Sequence, residues 1–264
     1  MGPSRRELAD FSTKGAVCLR NCLEQRWIDM LQGGFDKNIA SPGPFACYYT
    51  DASAQGLFRD DYCNWQRISE FRRVIFESNL GHVAALLVNA TTIRFFYEHI
   101  FFKMEGTVKK TPWHQDLPYF CVDGDQGISF WIPLTPIDES NKIEFIAGSH
   151  LWKTLFMPKK FNGVDSYDVP EGLYHPMPDL NHHTKLSWTM KVGDVLAFDF
   201  RTIHGNTESD APNLADRRSI ALRFLGENMR YSQRPGEKSP PFPEVALAPG
   251  AELEHPSFPI VWRK

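Results

Sequence analysis

Residues Thr92–Lys103 read T-I-R-F-F-Y-E-H-I-F-F-K, a run of aromatic and β-branched residues without Gly or Pro. Side chains of this kind suit a pleated, half-buried surface, so the run reads as a strand. Similar runs follow at Ser129–Leu134, Ile143–Ile146, Val195–Ile203 and Ser219–Leu225. Gly124–Asp125, Asn141–Lys142 and Val192–Gly193–Asp194 supply turn chemistry between them. Short strands punctuated in this way predict a mainly β sandwich or barrel over about residues 91–230.

Upstream the period changes. Ala16–Leu19 reads as a short strand, and Cys22, Leu23, Trp27, Ile28 and Leu31 then fall at helical spacing before a Gly33–Gly34 stop. Ser41–Asp61 reads as a loop. Ile68–Val88 carries apolar stripes through Phe71, Val74, Ile75, Val83, Leu86 and Leu87, with a break expected at Asn79–Gly81. Residues 1–90 are therefore expected to place two or three helices outside the barrel. The segment 151–191, rich in Pro, Gly, Asp and His, is too long for an ordinary connection and reads as a lid. Ser232–Pro259 holds seven prolines, so about 232–264 is expected as an extended wrap with little pairing of its own.

Length and charge exclude several classes. The chain has 264 residues, enough for one domain with a substantial core, and its net charge of −3 implies no polyanion-binding field. Nucleic acid and membrane surfaces are accordingly not expected as partners. No run approaches the ~18 apolar residues of a membrane span, and the start M-G-P-S-R-R-E-L-A-D lacks the apolar core of a secretory signal. A soluble, cytoplasmic protein is expected. Cys18, Cys22, Cys47, Cys63 and Cys121 form no C-x-x-C pair and read as reduced thiols.

The chemistry concentrates at W-H-Q-D, Trp113–Asp116, and at D-V-L-A-F-D-F-R-T-I-H-G, Asp194–Gly205. On a strand, His114 and Asp116 share a face because side chains repeat every two residues. His204 stands 88 residues after Asp116, and continuing the strand from Val195 puts it on the face of Leu196, Phe198, Phe200 and Thr202. Two His and one carboxylate on one side of a metal form the facial triad of non-haem Fe(II) oxygenases, which leaves positions open for substrates. Helical H-E-x-x-H and closed Cys-rich zinc sets are absent from the sequence. Thirteen residues beyond His204, Arg217 and Ser219 stand two apart in R-R-S-I-A-L-R-F; an Arg fork with an adjacent hydroxyl suits a carboxylate.

Together, H-x-D, the distant His and Arg-x-Ser resemble the Fe(II)/2-oxoglutarate dioxygenases of the phytanoyl-CoA dioxygenase family. T-P-W-H-Q-D-L-P-Y-F at Thr111–Phe120, F-W-I-P-L-T-P at Phe130–Pro136, A-G-S-H at Ala147–His150 and I-H-G-N at Ile203–Asn206 carry the likeness further; Asn141–Lys142 departs from the Asn-Gly that the family often has. The resemblance implies a double-stranded β-helix, or jelly roll, with Fe(II) held by His114, Asp116 and His204. It implies 2-oxoglutarate on Arg217, with Trp131, Asn206 and His99 lining that cosubstrate, Ser219 beside it, and O2 as the oxidant. The implied reaction is hydroxylation or a related oxidation of a small to medium organic metabolite, releasing succinate and CO2. Halogenation is disfavoured because related halogenases replace the carboxylate ligand with a small residue. A jelly-roll metalloenzyme of redox-neutral, isomerase-like chemistry and a non-catalytic metal-binding module are the alternatives. Tyr48, Tyr49, Phe58, Trp65 and Tyr119 are candidates for an aromatic substrate pocket, and Arg223 for a structural ion pair or a substrate anchor.

Overall fold

The computed structural model describes residues 2–49, 56–107, 111–158, 172–206, 215–235 and 238–264. Along the chain run α1 (Arg5–Lys14), β1 (Ala16–Leu19), α2 (Gln25–Ala40), β2 (Cys47–Tyr48), β3 (Phe58–Tyr62), α3 (Ser69–Glu77), α4 (Leu80–Leu87), β4 (Thr92–Lys103), β5 (Thr111–His114), β6 (Val122–Asp123), β7 (Gly127–Pro133), β8 (Glu144–Ile146), β9 (Lys185–Ser187), β10 (Val195–Asp199), β11 (His204–Asn206), β12 (Arg217–Gly226), β13 (Arg230–Tyr231) and β14 (Ile260–Arg263). The major sheet has the order β1-β10-β7-β12-β4-β3-β2, with β14 also pairing β4; the minor sheet has the order β5-β11-β8-β9. Every pair between these strands is antiparallel.

Alternation along the major sheet separates two environments. Arg218, Ile220 and Leu222 of β12 pair with Phe102, Ile100 and Glu98 of β4, and Ile220 and Leu222 also meet Ile132 and Phe130 of β7. The apolar members of this face join Leu31 and Phe35 of α2, Phe71 and Val74 of α3, and Leu80 and Val83 of α4 in one buried core. Fully burying each such side chain stabilises by ~1.5–3 kcal/mol, so a slip of one residue, which would turn the whole set over, is strongly opposed. The opposite face, toward the minor sheet, carries Arg217, Ser219, Ala221 and Arg223 beside Lys103, Phe101, His99 and Tyr97.

Several local expectations change. Helix α1 is capped by Ser4 and Glu7 in a reciprocal capping box that hydrophobic periodicity misses. Gly33–Gly34 does not stop α2, which continues to Ala40. Gly34 is buried under Phe71, where a Cβ would stand 2.5 Å from the ring, so its glycine serves helix packing. The loop expected over Ser41–Asp61 contains β2 and most of β3. Part of the expected lid is built into the sheets: β9 pairs with β8, Met190 bridges Ile137, and Phe156 bridges His175. Residues 159–171 of that segment lie outside the described residues. The C-terminal wrap ends in β14, which pairs with Thr92–Arg94 of β4. All five cysteines are free thiols. Among the described residues no helix is long and apolar enough to cross a membrane.

Candidate metal centre and cosubstrate wall

The strand of His114 ends at that residue. Asp116 instead takes a helical conformation at the start of a 3-10 turn, Leu117–Tyr119. It is this bend, and not strand alternation, that turns its carboxylate back toward His114. Strand β10 likewise stops at Asp199, whose carboxylate accepts from the backbone N–H and guanidinium of Arg201, while Thr202 N–H bonds the Asp199 carbonyl at 2.9 Å. The chain crosses to the minor sheet there, so His204 opens β11 and does not continue the face of Leu196 and Phe198. Phe200 accordingly packs in a separate cluster with Phe96, Phe120 and Leu225.

Both bends deliver their residues to one point. His114 and His204 are direct partners across the β5–β11 pair. Each Nε2 lies 3.8 Å from Asp116 Oδ1, and one ligand atom from each of the three residues falls within 4.8 Å of the others. Each Nδ1 is engaged by a backbone carbonyl, Pro112 at 2.8 Å for His114 and Thr202 at 2.9 Å for His204. Such bonds place the ring proton on Nδ1 and leave the Nε2 lone pairs free for a metal. Burial pushes the His204 imidazole down to about 3, with His114 adding to the shift, and lowers His114 as well. Burial alone would raise Asp116, but Arg223, the two imidazoles and the Ser129 hydroxyl together bring it to about 2. The centre is thus two neutral imidazoles and one carboxylate.

Its support comes from Arg223, which the sequence offered as a structural ion pair or a substrate anchor, and from residues that the sequence did not single out for that role. Ser129 donates to Asp116 Oδ2 at 2.9 Å and Arg223 Nε does so at 3.3 Å, leaving Oδ1 for the imidazole side. Arg223 lies over the rings of Tyr97 and Phe120 at 4.6 and 5.4 Å, so it is a structural ion pair at the metal centre. Gln115, between the two ligands, donates to the Thr154 and Arg201 carbonyls and accepts from Phe156 N–H. In the A-G-S-H stretch, Ser149 Oγ accepts from Ile203 N–H at 2.9 Å and so fixes the residue before His204. The only signal for these roles is position within the motifs.

The candidate wall for a cosubstrate runs along β12. Arg217 is buried, and burial lowers its guanidinium to about 10. Its Nη1 donates to the Asn141 carbonyl at 3.2 Å, and it stands 5.8 Å from the Trp131 ring. Among the described residues its Nε and the buried Ser219 Oγ have no hydrogen-bond partner. A buried cation and hydroxyl left in this state fit an anionic ligand. His99, on the same wall, bonds Asp60 Oδ2 through Nε2 at 2.8 Å and packs on Phe101 at 4.0 Å. Asn206 closes β11, and its side chain lies outside the described residues. Of the aromatic candidates, Trp65 belongs to the helix-side core and Tyr48 is exposed, so neither lines this wall.

Fold and site together define a jelly-roll protein with a two-histidine, one-carboxylate cluster and an inner wall carrying a buried guanidinium and hydroxyl with unmet donors among the described residues. The phytanoyl-CoA dioxygenase (PhyH) family profile matches residues 11–213, and the chain belongs to that family. Iron and 2-oxoglutarate are the cofactors of this enzyme class, and the donor set and the unpaired Arg217 and Ser219 atoms fit them. Among solved structures, the chain is similar to SnoK, a non-haem α-ketoglutarate-dependent carbocyclase from nogalamycin biosynthesis, at 19% identity, with 98% of this chain and 96% of that one covered and a TM-score of 0.74. The epimerase SnoN in complex with Fe3+, α-ketoglutarate and nogalamycin RO matches at 16% identity, with 97% of each chain covered and a TM-score of 0.72. EctD from S. alaskensis with 2-oxoglutarate and 5-hydroxyectoine matches at 18% identity, over 94% of this chain and 85% of that one, with a TM-score of 0.68. Likeness at these identities speaks for the fold. No curated protein sequence matches the chain.

Proposed function

We propose that this protein is an Fe(II)- and 2-oxoglutarate-dependent oxygenase acting on a small to medium organic metabolite. The observation that carries this reading is the convergence of His114 Nε2, His204 Nε2 and Asp116 Oδ1, on the side of the barrel where, among the described residues, Arg217 Nε and Ser219 Oγ have no hydrogen-bond partner. When bound, iron would activate O2 as the oxidant and 2-oxoglutarate would supply two of the electrons for its reduction, leaving as succinate and CO2.

The chain's own residues bind, orient and exclude water. His114, His204 and Asp116 hold the metal, and Ser129 and Arg223 keep the second Asp116 oxygen turned away from it. Arg217 and Ser219 take the far carboxylate of the cosubstrate, with Trp131 and His99 as the adjoining wall and Asn206 at the end of β11. Hydroxylation is the reaction assigned, since a complete carboxylate-bearing triad suits oxygen transfer. Ring closure and epimerisation, the reactions of SnoK and SnoN, are the second reading, because those two proteins share the fold over nearly the whole chain. A metabolite panel incubated with Fe(II), 2-oxoglutarate and O2 tests the proposal. Substrate-dependent succinate formation is expected, and a product mass increased by one oxygen separates hydroxylation from the mass-neutral or dehydrogenative outcomes. Failure of 2-oxoglutarate to bind the iron-loaded protein would remove the reading altogether.

A further inference from the structure

Asp60 is a buried carboxylate on the barrel's inner face that takes no part in the metal centre and touches the cosubstrate wall only through His99, which bonds its Oδ2. Its register partner on β4 is Phe101, and Phe101 is in turn the partner of Ser219 on β12. Cross-strand partners share a face, so Asp60, Phe101 and Ser219 stand in one row. At ~4.8 Å per strand, Asp60 and Ser219 are about 10 Å apart. The residue is 2% exposed. Oδ2 accepts both bonds that hold it, from the Tyr49 hydroxyl at 3.0 Å and from His99 Nε2 at 2.8 Å. Oδ1 is buried and, among the described residues, has no partner.

A buried carboxylate oxygen without a donor costs free energy until something meets it. Ionised 2-oxoglutarate offers only acceptors, two carboxylates and a ketone, so it can satisfy Arg217 and Ser219 but brings nothing to Asp60. Apart from Arg223 Nη1 beside the metal centre, the unmet groups of this face among the described residues therefore divide into two donors, Arg217 Nε and Ser219 Oγ, for an anionic cosubstrate and one acceptor, Asp60 Oδ1, for a different molecule. Around that acceptor the surface is mainly aromatic: Tyr62 packs edge-on to His99 at 5.4 Å, Phe45 stacks on Tyr62 at 5.0 Å, Tyr49 packs on Phe58 at 4.9 Å, and the buried Lys103 lies over the Phe58 ring at 4.7 Å.

We propose that Asp60 anchors the primary substrate, which carries a hydroxyl or ammonium group on an apolar body and donates to Oδ1, while Tyr49 and His99 fix the carboxylate in place. The inference rests on the oxygenase reading above and names the substrate class that this reading leaves open.

The test uses the full-length iron-loaded protein with 2-oxoglutarate under anaerobic conditions. Calorimetric titration is run against matched sets of aryl and terpenoid alcohols, the corresponding primary amines and the corresponding methyl ethers. At least one alcohol or amine should bind, with its methyl ether tenfold weaker or worse. Asp60→Ala should weaken that compound at least tenfold, and Asp60→Asn, which keeps an acceptor for His99, should leave 2-oxoglutarate affinity within twofold. Asp60→Asn keeps an acceptor for Tyr49 and His99, so it serves if the Ala variant does not fold. It should retain an alcohol within a fewfold and lose an amine tenfold or more, which separates the two sources of the donor. Methyl ethers binding as tightly as alcohols, a panel without any donor-bearing ligand, or full retention of the ligand by both variants would overturn the proposal. So would loss of 2-oxoglutarate affinity in Asp60→Asn, since that would place Asp60 in the cosubstrate site. Failure of wild-type protein to bind 2-oxoglutarate is read from that titration alone; it defeats the oxygenase reading and this inference with it.

Discussion

His114 and His204 are cross-strand partners, their ring centroids 4.2 Å apart, although 90 residues separate them in the chain. The β5–β11 pairing thus sets the distance between two metal donors, and the turn after His114 brings the third. Because each imidazole is fixed by a backbone carbonyl, the donors are arranged before any metal arrives. Replacing His114, Asp116 or His204 by Ala should therefore abolish turnover with the fold retained, and weaken Fe(II) at least a hundredfold in anaerobic titration. Removing a group that orients a ligand typically costs 10–100-fold in metal affinity, and Arg223→Met should fall in that range. Wild-type iron affinity in all three Ala variants would dismiss the centre.

Adjacent arginines on β12 should behave differently. Arg217 faces the barrel interior with its Nε unpaired, whereas Arg218 leaves on the helix side and pairs with Asp36 at 2.8 Å, where both side chains are substantially exposed. Losing one partner of a buried charge pair costs ~3–5 kcal/mol, which at ~1.4 kcal/mol per decade is a hundredfold or more in affinity. An exposed pair contributes ~0–1 kcal/mol. Arg217→Ala should thus abolish measurable 2-oxoglutarate binding by calorimetry, and Arg218→Ala should nearly preserve it. The reverse result would reassign the cosubstrate to the helix side of the sheet.

Two consecutive glycines in α2 should respond with opposite signs. A Cβ at Gly33 meets nothing within 4 Å, while one at Gly34 would press on the Phe71 ring at 2.5 and 2.7 Å. Gly33→Ala gains helix propensity and should stabilise by up to ~1 kcal/mol in urea unfolding. Gly34→Ala overpacks the core and should destabilise by ~1–3 kcal/mol. Equal changes in the two variants would mean that the α2–α3 contact yields without cost.

The sequence carried the β architecture where alternation separates apolar from small and polar positions, as along Arg217–Leu222. It hid β3 because F-R-D-D-Y carries Arg59 and Asp61 on one face and interrupts the aromatic face of Phe58 and Tyr62 with Asp60. Arg59 and Asp61, on the helix side, are satisfied by Asn38 of α2, which lies far away in sequence and near in space. That strand bears Asp60, so the loop reading also concealed the residue that the inner wall singles out. The three residues of the candidate metal cluster stood out in the sequence as residue types and motif context. Their geometry did not, because two bends, at Gln115–Asp116 and at Phe200–Thr202, do the work that strand period was expected to do. Such bends depend on long-range partners, as where Thr202 Oγ1 donates to the Gly15 carbonyl. Arg223 and Ser129 could not be matched to Asp116 before the sheet register was known.

Glu98 gives the fold a pH dependence of predictable sign. It is buried on the helix-facing side of β4, where its carboxyl accepts from the backbone N–H groups of Asn64 and Trp65. Burial raises it to about 8; the backbone bonds oppose the shift and Asp61 adds to it. The folded protein therefore holds a proton here that the unfolded chain, with a carboxyl near 4.5, releases. Stability from this group is fully present below pH 4.5 and is lost as pH rises through about 8, with a slope of up to ~1.4 kcal/mol per pH unit between them. His114 and His204 act in the opposite direction, since their lowered values favour folding as pH rises toward 6.5. Comparison with Glu98→Gln cancels their contribution, because both proteins keep both imidazoles. Urea unfolding of the metal-free proteins at pH 5, 6.5 and 8 should show wild type losing stability relative to Glu98→Gln at each step. Parallel pH profiles for the two proteins would mean that Glu98 is ionised in the folded state.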